Sequence, residues 1–171
     1  MNSGNVRNFT GNYVHFGFGL APEVNAHLQR AAAVVTNRDS SLEALIEALK
    51  LAPDQLEVLV ALYKFHFYQG ETEKAQDLVF QTLIKSSLLG GFSHDWKRLS
   101  SKSTDWVDPR GPGRVFLYSL KALAFIRLRQ NDLTDAESIL GVLNRLDPTD
   151  QVGADVVRDL LQGMLEGDDD D

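Results

Sequence analysis

Apolar residues recur at spacings of three and four along most of the chain, and this period restricts the fold to packed helices. Leu42, Leu45 and Leu49 show the pattern, and comparable sets continue as far as Met164. In an α-helix, residues at these spacings share one face, which must be buried against a partner. The alternation typical of a β-strand occurs only in residues 14–20. We therefore predict an all-α protein.

Prolines, glycines and cap residues divide the periodic sequence into separate helices. Pro53 and Pro148 each follow a helix, because proline cannot continue one, and Gly70 ends another. Ser93 is predicted to cap a short additional helix that ends at Leu99. The main predicted helices begin at Pro22 and at Ser40 or Ser41, and then cover residues 56–67, 72–83, 115–128, 133–143 and 152–164.

Composition excludes several classes of protein. The 171-residue chain has no cysteine, which rules out disulfide scaffolds, thiolate metal sites and cysteine catalysis. The net charge of −7 argues against a nucleic-acid surface, because no excess of cations can displace counterions from phosphates. The longest apolar stretch, residues 115–128, contains Lys121 and Arg127 and is shorter than the ~20 residues that cross a bilayer. The first residues do not resemble a secretory signal, so we expect a cytoplasmic protein with no membrane span.

The side chains that carry enzymatic chemistry do not form a recognisable motif. The four histidines have no partner at metal-ligand spacing, and no serine lies in a nucleophile elbow. Residues 17–19 lack the third glycine of a dinucleotide-binding loop. We therefore expect no catalytic residue, no metal and no cofactor, and a protein that is not an enzyme.

The predicted helices come in pairs that repeat. When Gly70 is aligned with Asn131, Ala75 falls on Ala136, at the same distance after the break in each pair. A period of about 34 residues then divides the chain into four units. One interruption separates the second unit from the third, and the fourth unit has a single helix. These units begin at Pro22, Leu56, Leu117 and Gln151.

This pattern resembles the tetratricopeptide repeat (TPR) family over about residues 22–165. The matching residues are Leu59, Leu62, Gly70 and Ala75 in one unit and Leu120, Leu123, Ala124, Ala136, Leu140 and Pro148 in the other. Tyr63, Thr82 and Ser87 depart from it, where the family has a small residue, alanine and proline. The resemblance implies a right-handed α-solenoid of helical hairpins with a C-terminal capping helix and one irregular insertion. An irregular helical bundle is the alternative.

The domain is flanked and interrupted by sequence that does not fit the repeat. Residues 1–21 are predicted to form an extended or flexible N-terminal arm, and residues 166–171 a disordered acidic tail. The insertion at about 87–114 contains both tryptophans, Trp96 and Trp106. The tryptophans are expected to pack the insertion against the repeats, to extend a binding surface, or to do both.

The resemblance also implies a concave groove that is lined by the first helix of each pair. The predicted groove mixes apolar surface with three cations and one carboxylate, Glu57. A protein or peptide segment with apolar anchors and some negative charge would complement it. The candidate partner-binding residues are Val60, Lys64, Phe67, Tyr68, Tyr118, Lys121, Phe125, Leu128 and Arg129, together with Trp96 and Trp106.

Three functions are compatible with such a groove. The first is a non-catalytic adaptor or scaffold that binds a peptide or partner protein. The second is a dedicated secretion-type chaperone that holds a client protein. It is suggested by a short resemblance to the small acidic TPR chaperones of bacterial type III secretion, in Phe67-Tyr68-Gln69-Gly70 and in Asp135-Ala136-Glu137 with Leu140, Leu143 and Pro148. The third is self-assembly into a homo-oligomer through the N-terminal arm.

Overall fold

The computed structural model describes residues 19–168, and it confirms an all-α fold. This part of the chain contains seven α-helices and no β-strand. Residues 14–18, most of the strand-like pattern, lie outside the described residues, and Leu20 has no regular structure. The helices are α1 (Pro22–Ala33), α2 (Arg38–Leu51), α3 (Leu56–Tyr68), α4 (Thr72–Gly90), α5 (Pro112–Arg129), α6 (Leu133–Leu146) and α7 (Asp155–Asp168), with a 3₁₀ helix at Trp96–Arg98.

The helices pack in consecutive pairs. α1 packs on α2, α3 on α4 and α5 on α6, and α4 forms an equally extensive contact with α5. α5 also contacts α3 on one side and α7 on the other, so these three alternate helices lie side by side. Their neighbouring surfaces form the site described below.

The two central pairs turn in the same way, at the positions that the repeat aligned. Gly70 and Asn131 both adopt a left-handed conformation, with φ of 77° and 60°. Such a residue after a helix lets later amides reach the last free carbonyls. In each turn the next amide donates to the preceding helix at 2.9 Å, Glu71 to the carbonyl of His66 and Asp132 to that of Arg127.

The core has two parts that share α3. One face of α3 contributes Leu62 to a small cluster with Leu28 and Leu45 of the first pair. Another face contributes Tyr63 to a large cluster that continues through α4, α5 and α6 to Leu161 of α7. Because α3 is apolar on nearly every side, it lies between neighbours rather than on the surface.

α2 begins earlier than the sequence indicated. The cap is Asn37 rather than Ser40 or Ser41, and its side chain accepts a hydrogen bond from the Ser40 amide at 3.1 Å. Ser41 is buried and donates to the carbonyl of Ala31 at 3.0 Å, so it joins α1 to α2. A serine with a tertiary partner is not available as a cap.

The insertion is shorter than predicted because both flanking helices are longer. α4 continues to Gly90 and ends at Gly91, whose φ of 69° suits a helix C-terminus. α5 begins at Pro112, at the first turn where proline is favoured. The segment between them is therefore residues 91–111.

The short helix inside the insertion also differs from its prediction. It is a single 3₁₀ turn capped by Asp95, whose carboxylate accepts from the Lys97 amide at 3.2 Å. Ser93 instead accepts a hydrogen bond from the Asp95 amide at 3.1 Å, so it orders the turn that precedes the cap.

α7 lies later in the chain than predicted. It begins after a turn in which Asp150 and Gly153 both have positive φ, and it continues to Asp168. Gln162 donates to Glu166 one turn later at 2.8 Å, which extends the helix into the predicted tail. Residues 1–18 of the arm predicted over 1–21, and residues 169–171 of the tail predicted over 166–171, lie outside the described residues.

Candidate functional site

An open groove runs between α3, α5 and α7 and has a volume of about 210 Å³. We call it the aromatic groove. Its lining comes from one face of each of the three helices and the turn before α7. The lining residues are Tyr63, Lys64, Phe67, Tyr68, Tyr118, Lys121, Ala122, Phe125, Ile126, Gly153, Val156 and Val157.

Helical spacing explains why the side chains meet. Lys64, Phe67 and Tyr68 are three and four residues apart on α3, so they share one face. Tyr118, Lys121, Ala122 and Phe125 repeat this spacing on α5. Because α3 and α5 are neighbours, the two faces form opposite walls of one groove.

Three of the aromatic side chains, Phe67, Tyr68 and Phe125, form a continuous but incompletely covered surface. The ring of Phe67 lies 4.8 Å from that of Phe125 and 5.5 Å from that of Tyr68, measured between centroids. Phe67, Tyr118 and Phe125 are half-buried, whereas Tyr68 is 57% exposed. Aromatic groups that remain exposed on a concave surface are typical of binding sites.

Two lysines lie against the same tyrosine. The ammonium nitrogens of Lys64 and Lys121 are 4.7 and 4.5 Å from the ring centroid of Tyr118, within the range of cation–π contacts. Burial, and then repulsion by Lys121, lowers the pKa of Lys64 to about 8. Burial likewise lowers the pKa of Lys121, although the nearby carboxylate of Asp150 opposes the shift.

Lys121 also has a structural role. Its ammonium group donates to the carbonyl of Val152 at 2.6 Å, which ties α5 to the turn before α7. Asp150 organises that turn, because its carboxylate accepts from the amides of Ala154 and Asp155 at 2.6 and 3.1 Å. This arrangement places α7 at the edge of the aromatic groove.

The tyrosine hydroxyls stay protonated at neutral pH. Burial raises the pKa of Tyr118 to about 12, and Tyr68 adds to this shift by its own negative charge when it ionises. Burial also raises the pKa of Tyr68. Neither tyrosine therefore adds negative charge to the groove at neutral pH.

The structure brings six of the eleven predicted binding residues together. They are Lys64, Phe67, Tyr68, Tyr118, Lys121 and Phe125. Arg129 is exposed next to them, with its guanidinium carbon 6.0 Å from the ring of Phe67.

Three predicted residues do not reach the groove surface. Val60 and Leu128 are each only 4% exposed and belong to the core, because α3 and α5 are covered on more sides than the repeat pattern assumed. Trp106 is also buried, between the rings of Phe92 and Phe116. Its indole N–H donates to the carbonyl of Ser100 at 2.9 Å.

The remaining tryptophan lies outside the aromatic groove. Trp96 is half-buried and stacks on Phe80 of α4, with ring centroids 6.4 Å apart. The predicted carboxylate of the groove is also elsewhere, because Glu57 is buried and accepts a hydrogen bond from Gln55 at 2.5 Å. Both tryptophans therefore pack against the helices, Trp106 within the core and Trp96 at its surface.

Sequence reasoning missed the contribution of α7. Val156 and Val157 both line the groove, and Val156 remains 66% exposed. Adjacent residues lie about 100° apart around a helix, so the sequence did not show which of the two valines faces the core. In the structure Val157 joins Leu161 in the core, and Val156 stays exposed at the groove.

Two further properties of residues 19–168 concern metals and membranes. No cluster of three or more histidine, aspartate or glutamate side chains there has the arrangement of a metal site. No helix in the same residues has both the length and the apolar character to cross a bilayer.

Comparison with known proteins finds a bacterial relative that is similar along most of its length. The chain is 29% identical over 160 residues to an uncharacterized 19.8 kDa protein in the nifW 5′ region of Azotobacter chroococcum mcd 1. The match covers 91% of this chain and 88% of that protein. No family model matches the sequence, and no solved structure matches it.

Proposed function

We propose that this chain is a non-catalytic, cytoplasmic protein-interaction module that holds a peptide or protein segment in the aromatic groove. One observation carries the proposal: four partly exposed aromatic side chains and two lysines from separate helices converge on an open concave surface. A groove with apolar anchors and a few polar groups is a common mode of peptide recognition.

We further propose that the fold is a right-handed TPR-like solenoid capped by α7. Three observations support this. The pairs follow one another in order, alternate helices α3, α5 and α7 are neighbours, and the turns at Gly70 and Asn131 have matching geometry. In addition, Ala75 and Ala136 occupy equivalent positions and are both fully buried, which lets the paired helices approach closely.

The test compares two surface variants of the full chain as baits. Tyr68→Glu places a charge in the groove, and Leu88→Glu places the same charge on an exposed leucine of α4 outside it. Both side chains are largely exposed, so both variants are expected to fold. We expect Tyr68→Glu to lose at least about tenfold in partner binding and Leu88→Glu to retain it.

The pattern of captured proteins separates the candidate functions. One stoichiometric client that is unstable alone supports a chaperone, varied partners support an adaptor, and recovery of this chain alone supports self-assembly. Equal binding by both variants would show that the aromatic groove is not the binding site.

A further inference from the structure

The side chains that line the aromatic groove carry a charge opposite to that of the protein, and the carboxylate of Asp150 lies near Lys121 outside this lining. The chain has a net charge of −7, yet the described residues that line the groove include two lysines and neither aspartate nor glutamate. Glu57, the carboxylate expected there from the sequence, lies outside this lining. A positively charged binding surface favours a partner segment that carries negative charge.

The lysines also lie inside the groove rather than at its end. On α5, Tyr118 lines the groove one turn before Lys121 and Phe125 one turn after it. On α3, Phe67 and Tyr68 continue the surface one turn beyond Lys64. A bound chain can therefore extend past the lysines in both directions, which suits an internal side chain better than a chain terminus.

We infer that the aromatic groove recognises an acidic–apolar segment of a partner protein, with an aspartate or glutamate side chain at Lys64 and Lys121 and adjacent apolar side chains on Phe67, Tyr68 and Phe125. This inference rests on the proposed function and specifies the ligand. The net negative charge of the whole chain repels polyanions such as nucleic acid, so a protein segment with isolated carboxylates is the better fit.

The lowered pKa of Lys64 agrees with a carboxylate of the partner at this position. Burial and the neighbouring Lys121 lower its pKa to about 8, which means that its charged form is poorly solvated in the groove. A carboxylate nearby would stabilise that form. Perturbed titratable groups in clefts are typical of functional sites.

The experiment uses an array of acetylated and amidated peptides, whose only charges are on side chains. Each apolar sequence is present in matched versions with aspartate, asparagine or lysine at the central position. Binding of the full-length protein is measured by fluorescence anisotropy. We expect the aspartate version to bind about tenfold more tightly than the asparagine version, the gain typical of a charge-assisted hydrogen bond.

Variants then locate the charge contact. Lys64→Met is expected to remove most of the difference between aspartate and asparagine peptides, and Lys64→Arg to keep it. Lys50→Met removes an equal charge from an exposed site on α2 and is expected to change nothing. Since the first comparison uses the unmodified protein, the inference stays testable even if a variant does not fold.

Two segments of the chain itself serve as further probes. Residues 1–18 contain four aromatic side chains and no carboxylate, whereas residues 166–171 contain carboxylates and no aromatic side chain. We expect peptides of both segments to bind more weakly than an acidic–apolar peptide. Tighter binding by residues 1–18 would overturn the inference and assign the groove to the chain's own arm.

The other outcomes distinguish failure of this inference from failure of the proposed function. Equal binding of aspartate and asparagine peptides, both weakened by Tyr68→Glu, would overturn the inference and leave the proposed function intact. Binding only of peptides with a free C-terminal carboxylate would also overturn it, because the anion would then be the terminus. If no peptide binds and Tyr68→Glu captures partners normally, the inference and the proposed function both fail.

Discussion

Phe67 of α3 and Phe125 of α5 stack at a tilt of 43°, with ring centroids 4.8 Å apart. The pair joins two helices that are distant in the sequence and forms part of the groove surface. Both rings are half-buried, so this contact supports the fold as well as presenting an apolar surface.

The Phe67–Phe125 contact is expected to be energetically coupled. In a double-mutant cycle with alanine, we predict a coupling of about 1 kcal/mol in the free energy of unfolding, measured by urea denaturation. Phe80, which stacks on Trp96 instead, supplies the control: Phe80→Ala and Phe125→Ala should be additive. No coupling between Phe67 and Phe125 would mean that the rings do not form this contact in solution.

Lys64 is expected to make stability depend on pH in the alkaline range. Its pKa falls from the ordinary 10.5 to about 8 in the fold, so the unfolded chain binds this proton more tightly between these values. Unfolding then becomes less favourable as the pH rises from 8 towards 10. Urea denaturation should show a smaller rise for Lys64→Met, which should also be more stable at pH 7 by about 1–2 kcal/mol. Equal pH profiles for the two proteins would contradict the burial of Lys64.

Glu71 is expected to make stability depend on pH in the acid range. Its carboxylate accepts from His66 at 2.6 Å, Arg38 at 2.9 Å and Lys74 at 3.0 Å. The hydrogen bond with His66, followed by that with Lys74, lowers the pKa of Glu71 to about 2. The resulting stability is present above pH 4.5 and is lost as the pH falls towards 2.

Glu71→Gln should therefore be less stable than the unmodified protein at pH 7 and approach it at about pH 3. Thermal melts at the two pH values check this. Glu73→Gln, an exposed carboxylate in the same turn, is the control and should behave as the unmodified protein does. A difference that stays constant with pH would exclude the proposed role of Glu71.

The two tryptophans are expected to differ in their contribution to stability. Trp106 is 6% exposed and contacts Phe92 and Phe116, so Trp106→Ala should cost about 3–5 kcal/mol. Trp96 is only half-buried, so Trp96→Ala should cost clearly less. Urea denaturation measures both. If Trp106→Ala were the milder change, the insertion would not be packed as described.

The all-α fold and the positions of the helix breaks could be predicted from the sequence, because they depend on local patterns. Gly70 and Asn131 lie between periodic segments of the sequence, and both adopt a left-handed backbone conformation. Helix ends were less predictable when a tertiary contact decided them. Ser41 looked like a cap but bonds to Ala31 of another helix.

The groove residues were implied by the resemblance to the repeat family, and they match the structure where a residue's position on one helix face decides whether it lines the groove. Lys64, Phe67 and Phe125 follow this rule. Val60 and Leu128 do not, because their exposure depends on how neighbouring helices pack, which spacing cannot reveal. Val156 was missed for the same reason, since its position depends on the turn that sets α7 against α5.

Photo-crosslinking from position 68 tests the central claim most directly. The photoreactive analogue p-benzoylphenylalanine replaces Tyr68 in one full-length variant and Leu88 in another, both being exposed positions. After irradiation in the native cell, we expect a discrete crosslinked partner protein from position 68 and no such product from position 88. Equal crosslinking from both positions, or none from position 68 while the partner still co-purifies, would contradict the claim that the aromatic groove holds the partner.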